Sequence, residues 1–140
     1  MNDESIEKNL YWHLLRVAIS SKHVLVEIAE KHDLTVTQLY ALCILGESQA
    51  IPMNSLSTLL FCDASNVTGI VDRLLTHDLI KREENPKDRR VKIITVTEKG
   101  EKLRNDIFDE LPKLARTGVS KLSDEKKKQL SDLLEEVLEN

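Results

Sequence analysis

The chain has 140 residues, of which 41% are hydrophobic, 31% charged and only 4% aromatic, and its formal net charge is −4. This composition indicates a single globular domain with an aliphatic core, and the lack of a long apolar run excludes a membrane-spanning helix. The acidic N-terminus shows no signal-peptide pattern, and two cysteines do not make a disulfide framework. We therefore expect a cytoplasmic protein with reduced thiols.

The charges are unevenly distributed. Six basic and three acidic side chains lie within residues 81–92, so this short segment is positive in an otherwise acidic chain. A local basic segment on an acidic body is compatible with binding to a polyanion, and the acidic remainder limits unspecific attachment.

The first half of the chain is predicted to be helical. Apolar residues recur every three or four positions over 5–31, on more than one face, which favours packing against a partner chain. Thr35 and Gln38 form a capping box for a second helix that ends near Gly46. Ile51-Pro52 is predicted to be an extended link, and a short helix follows over 55–61.

A fourth helix is predicted over 64–77, with Asp63 as its N-cap. Its apolar residues form one stripe at i, i+3, i+4, i+7 and i+8, namely Val67, Ile70, Val71, Leu74 and Leu75. The opposite face is small and polar.

After this helix, the residue pattern of the sequence changes from that of a helix to that of a β-hairpin. Residues 79–83 and 91–96 are rich in β-branched side chains and flank the turn sequence Asn85-Pro86-Lys87-Asp88.

A helix over 98–117 is expected after the cap Thr97, with a kink at Pro112, and a last helix over 124–138 after Ser123. The last helix is expected to bury Leu130, Leu133, Leu134 and Leu138. The predicted fold is mainly α, a winged helix-turn-helix of six helices with a β-hairpin wing.

Several motifs in this order resemble the MarR family of bacterial regulators. The most specific is the segment from Asp88 to Gly100, similar to the family's wing signature of Asp-x-Arg, a strand and Leu-Thr-x-x-Gly, with Val96 in place of the usual Leu. Leu34-Thr35-x-x-Gln38 and Val67-Thr68-x-x-Val71-Asp72-Arg73-Leu74 are supporting matches.

The resemblance implies a homodimer in which residues 1–33 and 98–140 form the dimerisation helices and residues 34–97 the DNA-binding lobe. It implies a ligand-responsive repressor of transcription that binds a pseudo-palindromic operator in double-stranded DNA. Neither an enzyme nor a metal or other cofactor is predicted.

The predicted recognition helix offers Ser65, Asn66 and Thr68 to base edges, because short polar side chains permit close approach. Arg73 is expected to reach a phosphate, or else to pair on the surface with Asp72 or Asp78. Gly69 departs from the family, which often has a larger or basic residue there, and its role stays open.

The predicted wing places Arg90 in the minor groove, as the family's matching arginine is placed. Asp88 is expected to orient Arg90 through a bidentate bond. The phosphate contacts predicted for the wing are Lys87, Arg89 and Lys92.

Other features are less specific. Trp12, His13, Arg16 and Tyr40 are candidates for the family's effector pocket, although core and dimer packing explain them as well. Cys43 is predicted to be a core residue, whereas Cys62 precedes the recognition helix and leaves a thiol-based redox sensor as an alternative. A winged-helix protein-interaction module without DNA binding is the other alternative.

Overall fold

The computed structural model describes residues 2–46, 50–115 and 118–139 and separates the chain into two compact units. One unit consists of Met1–Lys22 with Ala115–Asn140, and the other of His23–Leu114. The larger unit extends beyond the predicted lobe 34–97, because Val24, Ile28 and Ile107 are buried in its core. No helix among the described residues is long and apolar enough to cross a membrane.

Two helices open the chain, α1 (Asp3–Lys31) and α2 (Val36–Leu45). The predicted capping box of α2 is confirmed: the Gln38 amide N–H donates to Thr35 Oγ1 at 3.2 Å, and the Thr35 amide N–H donates to Gln38 Oε1 at 3.0 Å. These bonds satisfy two backbone donors that lack partners within the helix.

The helix-turn-helix consists of α3 (Leu56–Leu59), preceded by a 3₁₀ turn at Met53–Ser55, and α4 (Ala64–Thr76). The apolar stripe of α4 is buried as predicted, at Val67, Ile70, Val71 and Leu74, while Leu75 is half-buried. Asp63 occupies the N-cap position with an extended backbone, but its side chain makes no capping hydrogen bond. The prediction that its carboxylate caps α4 was therefore wrong.

A three-stranded antiparallel sheet contains the wing. Its strands are β1 (Ile51–Pro52), β2 (Ile80–Asn85) and β3 (Asp88–Val96), in the order β1-β3-β2. The segment predicted to be a link is β1, in which Ile51 pairs with Ile94. The hairpin is confirmed, although β3 begins three residues earlier than predicted, at Asp88. Pairing with β1 anchors the base of the hairpin to the segment that leads into α3.

Helix α5 (Glu98–Leu114) follows the wing directly. Thr97 caps it as predicted: its hydroxyl oxygen accepts from the Gly100 amide at 3.0 Å, and its hydroxyl donates to the Asp78 carbonyl at 2.7 Å. The helix ends at Leu114; residues 116 and 117 of the predicted span lie outside the described residues. Gly100 is buried, and a Cβ there would overlap the Leu79 carbonyl oxygen and the Val96 side chain.

The last helix, α6 (Asp124–Leu138), belongs to the smaller unit. The predicted cap is confirmed, because the Lys126 amide donates to Ser123 Oγ at 3.3 Å. No side chain of α6 is buried in the single chain. The prediction that its apolar stripe is buried was therefore wrong for an isolated subunit; the exposed residues are Leu130, Leu133, Leu134, Val137 and Leu138.

Candidate nucleic-acid interface

The outer face of α4 presents short polar side chains near the N-terminal end of the helix. Ser65, Asn66 and Thr68 are all exposed because the buried stripe of α4 fixes the rotation of the helix. The Thr68 hydroxyl donates to the Ala64 carbonyl at 3.3 Å, and its oxygen retains capacity to accept. This face therefore offers donors and acceptors at the positive end of the helix dipole.

A carboxylate orients the arginine at the tip of the wing. Arg90 Nε donates to Asp88 Oδ1 at 3.1 Å, and Arg90 Nη2 donates to Asp88 Oδ2 at 3.3 Å. The Arg90 amide also donates to Asp88 Oδ1 at 3.1 Å. The predicted bidentate pair is thus confirmed, and the Arg90 side chain remains 91% exposed. Asp88 directs the guanidinium without burying it.

The same contacts act on the carboxylate of Asp88. The side-chain and backbone hydrogen bonds from Arg90 lower the pKa of Asp88 below its usual value of 3.8. Asp88 is therefore ionised throughout the neutral range, and it remains an acceptor for Arg90 there.

An open groove of about 430 Å³ lies between the helix-turn-helix and the wing. Thr68 of α4 and Arg90 and Lys92 of β3 line it, so residues from both predicted DNA-contacting elements share one concave surface. A third contributor, not predicted from the sequence, is the segment before and within α3, which supplies Met53, Asn54 and Ser57. This short segment carries no periodic signal in the sequence from which its place beside the groove could be predicted.

The remaining basic residues differ in their partners. Lys92 Nζ lies 3.0 Å from Glu84 Oε1 across the hairpin. Within the described part of the chain, the Lys87 and Arg89 side chains form neither an ion pair nor a hydrogen bond, and both are exposed. Lys87 and Arg89 are therefore the cations of the wing tip that are available for an external anion.

Arg73 has a partner that was not predicted from the sequence. Its Nη2 donates to Asp33 Oδ2 at 2.9 Å, in the turn between α1 and α2, and not to Asp72 or Asp78. Asp72 instead lies 3.9 Å from Arg82. Both members of the Arg73–Asp33 pair are solvent-accessible, so exchanging Asp33 for a phosphate costs little.

The candidate effector residues fall in different units. Trp12, His13 and Arg16 are exposed on the N-terminal part of α1, and Tyr40 is half-buried against the core of the larger unit. Cys43 and Cys62 are both half-buried. The effector role of the first four residues stays a prediction.

A family model and two curated relatives match this chain and indicate the same family. The family model described as MarR family matches residues 34–92. The regulator MhqR of Bacillus subtilis is 30% identical over 117 residues, which are 84% of this chain and 77% of the relative. The regulator MgrA of Staphylococcus aureus is 31% identical over 112 residues, which are 80% of this chain and 75% of the relative.

Solved structures agree with this fold. A MepR mutant from a multidrug-resistant S. aureus clinical isolate superposes with a TM-score of 0.79 at 27% identity, covering 91% of this chain and 94% of that one. The wild-type apo MarR of E. coli, at 24% identity, gives a TM-score of 0.69 over 92% of this chain and 96% of that one, and so supports the fold alone. This chain belongs to the MarR family of winged helix-turn-helix transcriptional regulators, which are DNA-binding proteins and not enzymes.

Proposed function

We propose that this protein is a homodimeric, ligand-responsive transcriptional repressor that acts in the cytoplasm. It binds a pseudo-palindromic operator in double-stranded DNA. The observation that carries the proposal is the groove shared by the N-terminal half of α4 and the wing, with the Asp88-bound Arg90 on its rim. Family membership supports DNA binding; the operator contacts, the homodimer, repression and the effector are our inference.

Each of the two contacting elements suits a different groove. The exposed Ser65, Asn66 and Thr68 match the donors and acceptors that bases present in the major groove, where asparagine pairs well with adenine. The exposed guanidinium of Arg90 suits a narrow, A·T-rich minor groove, whose potential is strongly negative. Lys87, Arg89, Lys92 and Arg73 then contact phosphates, with Lys92 and Arg73 exchanging Glu84 and Asp33 for them.

The homodimer is supported by the exposed apolar residues of the smaller unit. Helix α6 exposes five large aliphatic side chains, and α1 exposes another group, namely Ile6, Leu10, Tyr11, Trp12, Leu15, Val17 and Ile19. Large exposed apolar surfaces are uncommon on soluble monomers and mark interaction sites, which supports a partner on these two helices. Two copies of the chain associating through these helices would present two DNA-binding lobes related by a two-fold axis.

Selection of binding sites from random duplexes tests the DNA-binding proposal. We expect a palindromic consensus with half-sites about one helical turn apart. If a dimer neutralises about six phosphates, the logarithm of the binding constant falls with the logarithm of salt concentration with a slope near −5. A slope near zero, or no enriched sequence, contradicts the proposal and favours a protein-interaction module.

The variant Arg90→Ala tests the wing assignment. We expect it to lose about tenfold in operator affinity per half-site while its dimerisation and unfolding midpoint stay unchanged, because the Arg90 side chain is exposed. Lys113→Ala, which removes one positive charge from the exposed end of α5, is the matched control and should bind as the wild type does. Equal affinity of the two variants contradicts the assignment.

Repression and ligand response need a separate test. A reporter driven by the selected operator should be silenced by the wild type and restored by Arg90→Ala. If an effector acts by shifting the population of the DNA-binding conformation, its binding must weaken as operator DNA is added, by the same factor by which it weakens DNA binding. Activation of the reporter contradicts the repressor proposal.

A further inference from the structure

Phe61 is the most exposed large hydrophobic side chain among the described residues, at 83%. It lies in the short turn between α3 and α4, and its two neighbours in sequence are much less exposed to solvent. Leu60 before it is buried in the core, and Cys62 after it is half-buried. The turn thus directs one phenyl ring outward and gives it no apolar surroundings within the described chain.

The backbone of Phe61 is also held in a conformation that bulky residues avoid. Its φ is +53°, in the left-handed region. Two hydrogen bonds fix the turn: the Phe61 amide donates to the Thr58 carbonyl at 3.4 Å, and the Cys62 amide donates to the Ser57 carbonyl at 3.1 Å. The strained backbone disfavours the folded state, and the exposed ring adds no apolar burial to offset it. Strain of this kind concentrates at functional sites.

The position of the turn indicates what the ring contacts. Phe61 is two residues before Asp63, the N-cap of α4, and Ser57 and Ala64 on either side of the turn line the groove that contains Arg90. In a helix-turn-helix, the N-terminal end of the recognition helix contacts base edges in the major groove. The turn is therefore brought to the edge of that groove.

We propose that Phe61 is a specificity-determining residue that packs against the C5-methyl group of a thymine at the edge of each half-site. The thymine methyl is the apolar group that the major groove displays, and phenylalanine is suited to it. A protein partner is less well supported, because Leu59 at the end of α3, only 37% exposed, is the one other exposed large hydrophobic in the described segment 50–64, and two such side chains make a small apolar patch. The inference rests on the proposed DNA-binding function.

Single thymine-to-deoxyuridine substitutions in the selected operator test the proposal, because each removes one methyl group. We expect wild-type affinity to fall about fourfold per half-site at one position, as for the loss of one buried methyl. Phe61→Asn should bind the thymine and deoxyuridine operators equally, with affinity similar to that of the wild type for deoxyuridine. Leu59→Ala, at the end of α3 two residues before Phe61, is the control and should keep the full sensitivity to deoxyuridine.

Thermal unfolding of the same variant supplies a second readout. Asparagine tolerates the left-handed region better than phenylalanine, so Phe61→Asn should unfold at or above the wild-type temperature. A variant that binds DNA as tightly as the wild type, or that stays as sensitive to deoxyuridine, overturns the proposal. Wild-type protein that binds no duplex specifically overturns the proposed function as well, and the two failures are thereby distinguished.

Discussion

The recognition helix and the wing are held in position by opposite means. Helix α4 is oriented by four side chains buried in the aliphatic core. Arg90 of the wing is oriented by a salt bridge to its near neighbour Asp88, and its own side chain is 91% exposed. The orientation of the outer face of α4, proposed to contact bases, is therefore coupled to the stability of the larger unit, whereas the wing tip can be altered with little effect on folding.

The strongest test of this difference removes a core contact of α4. Leu74 is fully buried, so Leu74→Ala should lower the free energy of unfolding by about 2–5 kcal/mol, through lost burial and the cavity left behind. Urea denaturation followed by circular dichroism measures the change. A loss as small as that expected for Arg90→Ala would show that α4 is not oriented by the core.

A smaller effect is expected at the base of the wing. In Gly100→Ala the new methyl group meets the Leu79 carbonyl and Val96, and accommodating it should cost about 1–3 kcal/mol of unfolding free energy. The same urea titration measures this cost. If the wing tip is independent of the core, Gly100→Ala should change operator affinity less than Arg90→Ala does. The comparison is made under conditions in which both variants are fully folded.

A substitution at Gly69, on the outer face of α4, is expected to raise the free energy of unfolding and not to lower it. A Cβ at Gly69 meets nothing within 4 Å, so packing does not require glycine there. Gly69→Ala should raise the unfolding free energy by up to about 1 kcal/mol, since glycine is a poor helix former. A simultaneous fall in operator affinity would show that glycine serves close approach to DNA, and unchanged affinity would show that it does not.

The smallest effect is a titration. Because the pKa of Asp88 is lowered in the folded state, the pair with Arg90 is fully formed above the ordinary carboxyl pKa and is lost only as the pH falls through the lowered value. Side-chain NMR should give Asp88 a midpoint below 3.8 in the wild type and a higher one in Arg90→Ala. Identical midpoints would contradict the bidentate pair.

The fold was largely predictable because its signals are local. The capping box at Thr35, the apolar stripe of α4 and the Asp88–Arg90 pair each involve residues within a few positions of one another. The wing signature ends at Gly100, and the structure supplies the physical reason for a glycine there, because a Cβ would overlap the Leu79 carbonyl oxygen.

The features that were not predicted depend on contacts between distant segments. Ile51 joins the sheet through Ile94, and a two-residue segment carries no periodicity from which that pairing could be read. Arg73 finds Asp33, 40 positions away in sequence. The exposure of the apolar stripe of α6 could not be predicted either, because the sequence shows that the stripe is apolar but not whether another part of the same chain covers it.

The three-stranded sheet has a further consequence at its two outer edges. Unpaired strand edges attract strands of other molecules, which leads to aggregation. On β1, Pro52 has no N–H to offer, and on β2 the exposed run Lys81-Arg82-Glu83-Glu84 brings charges that an incoming strand would have to accommodate. Pro52 and the charged run thus hinder pairing of a foreign strand along β1 and along β2, which limits aggregation through these two strands.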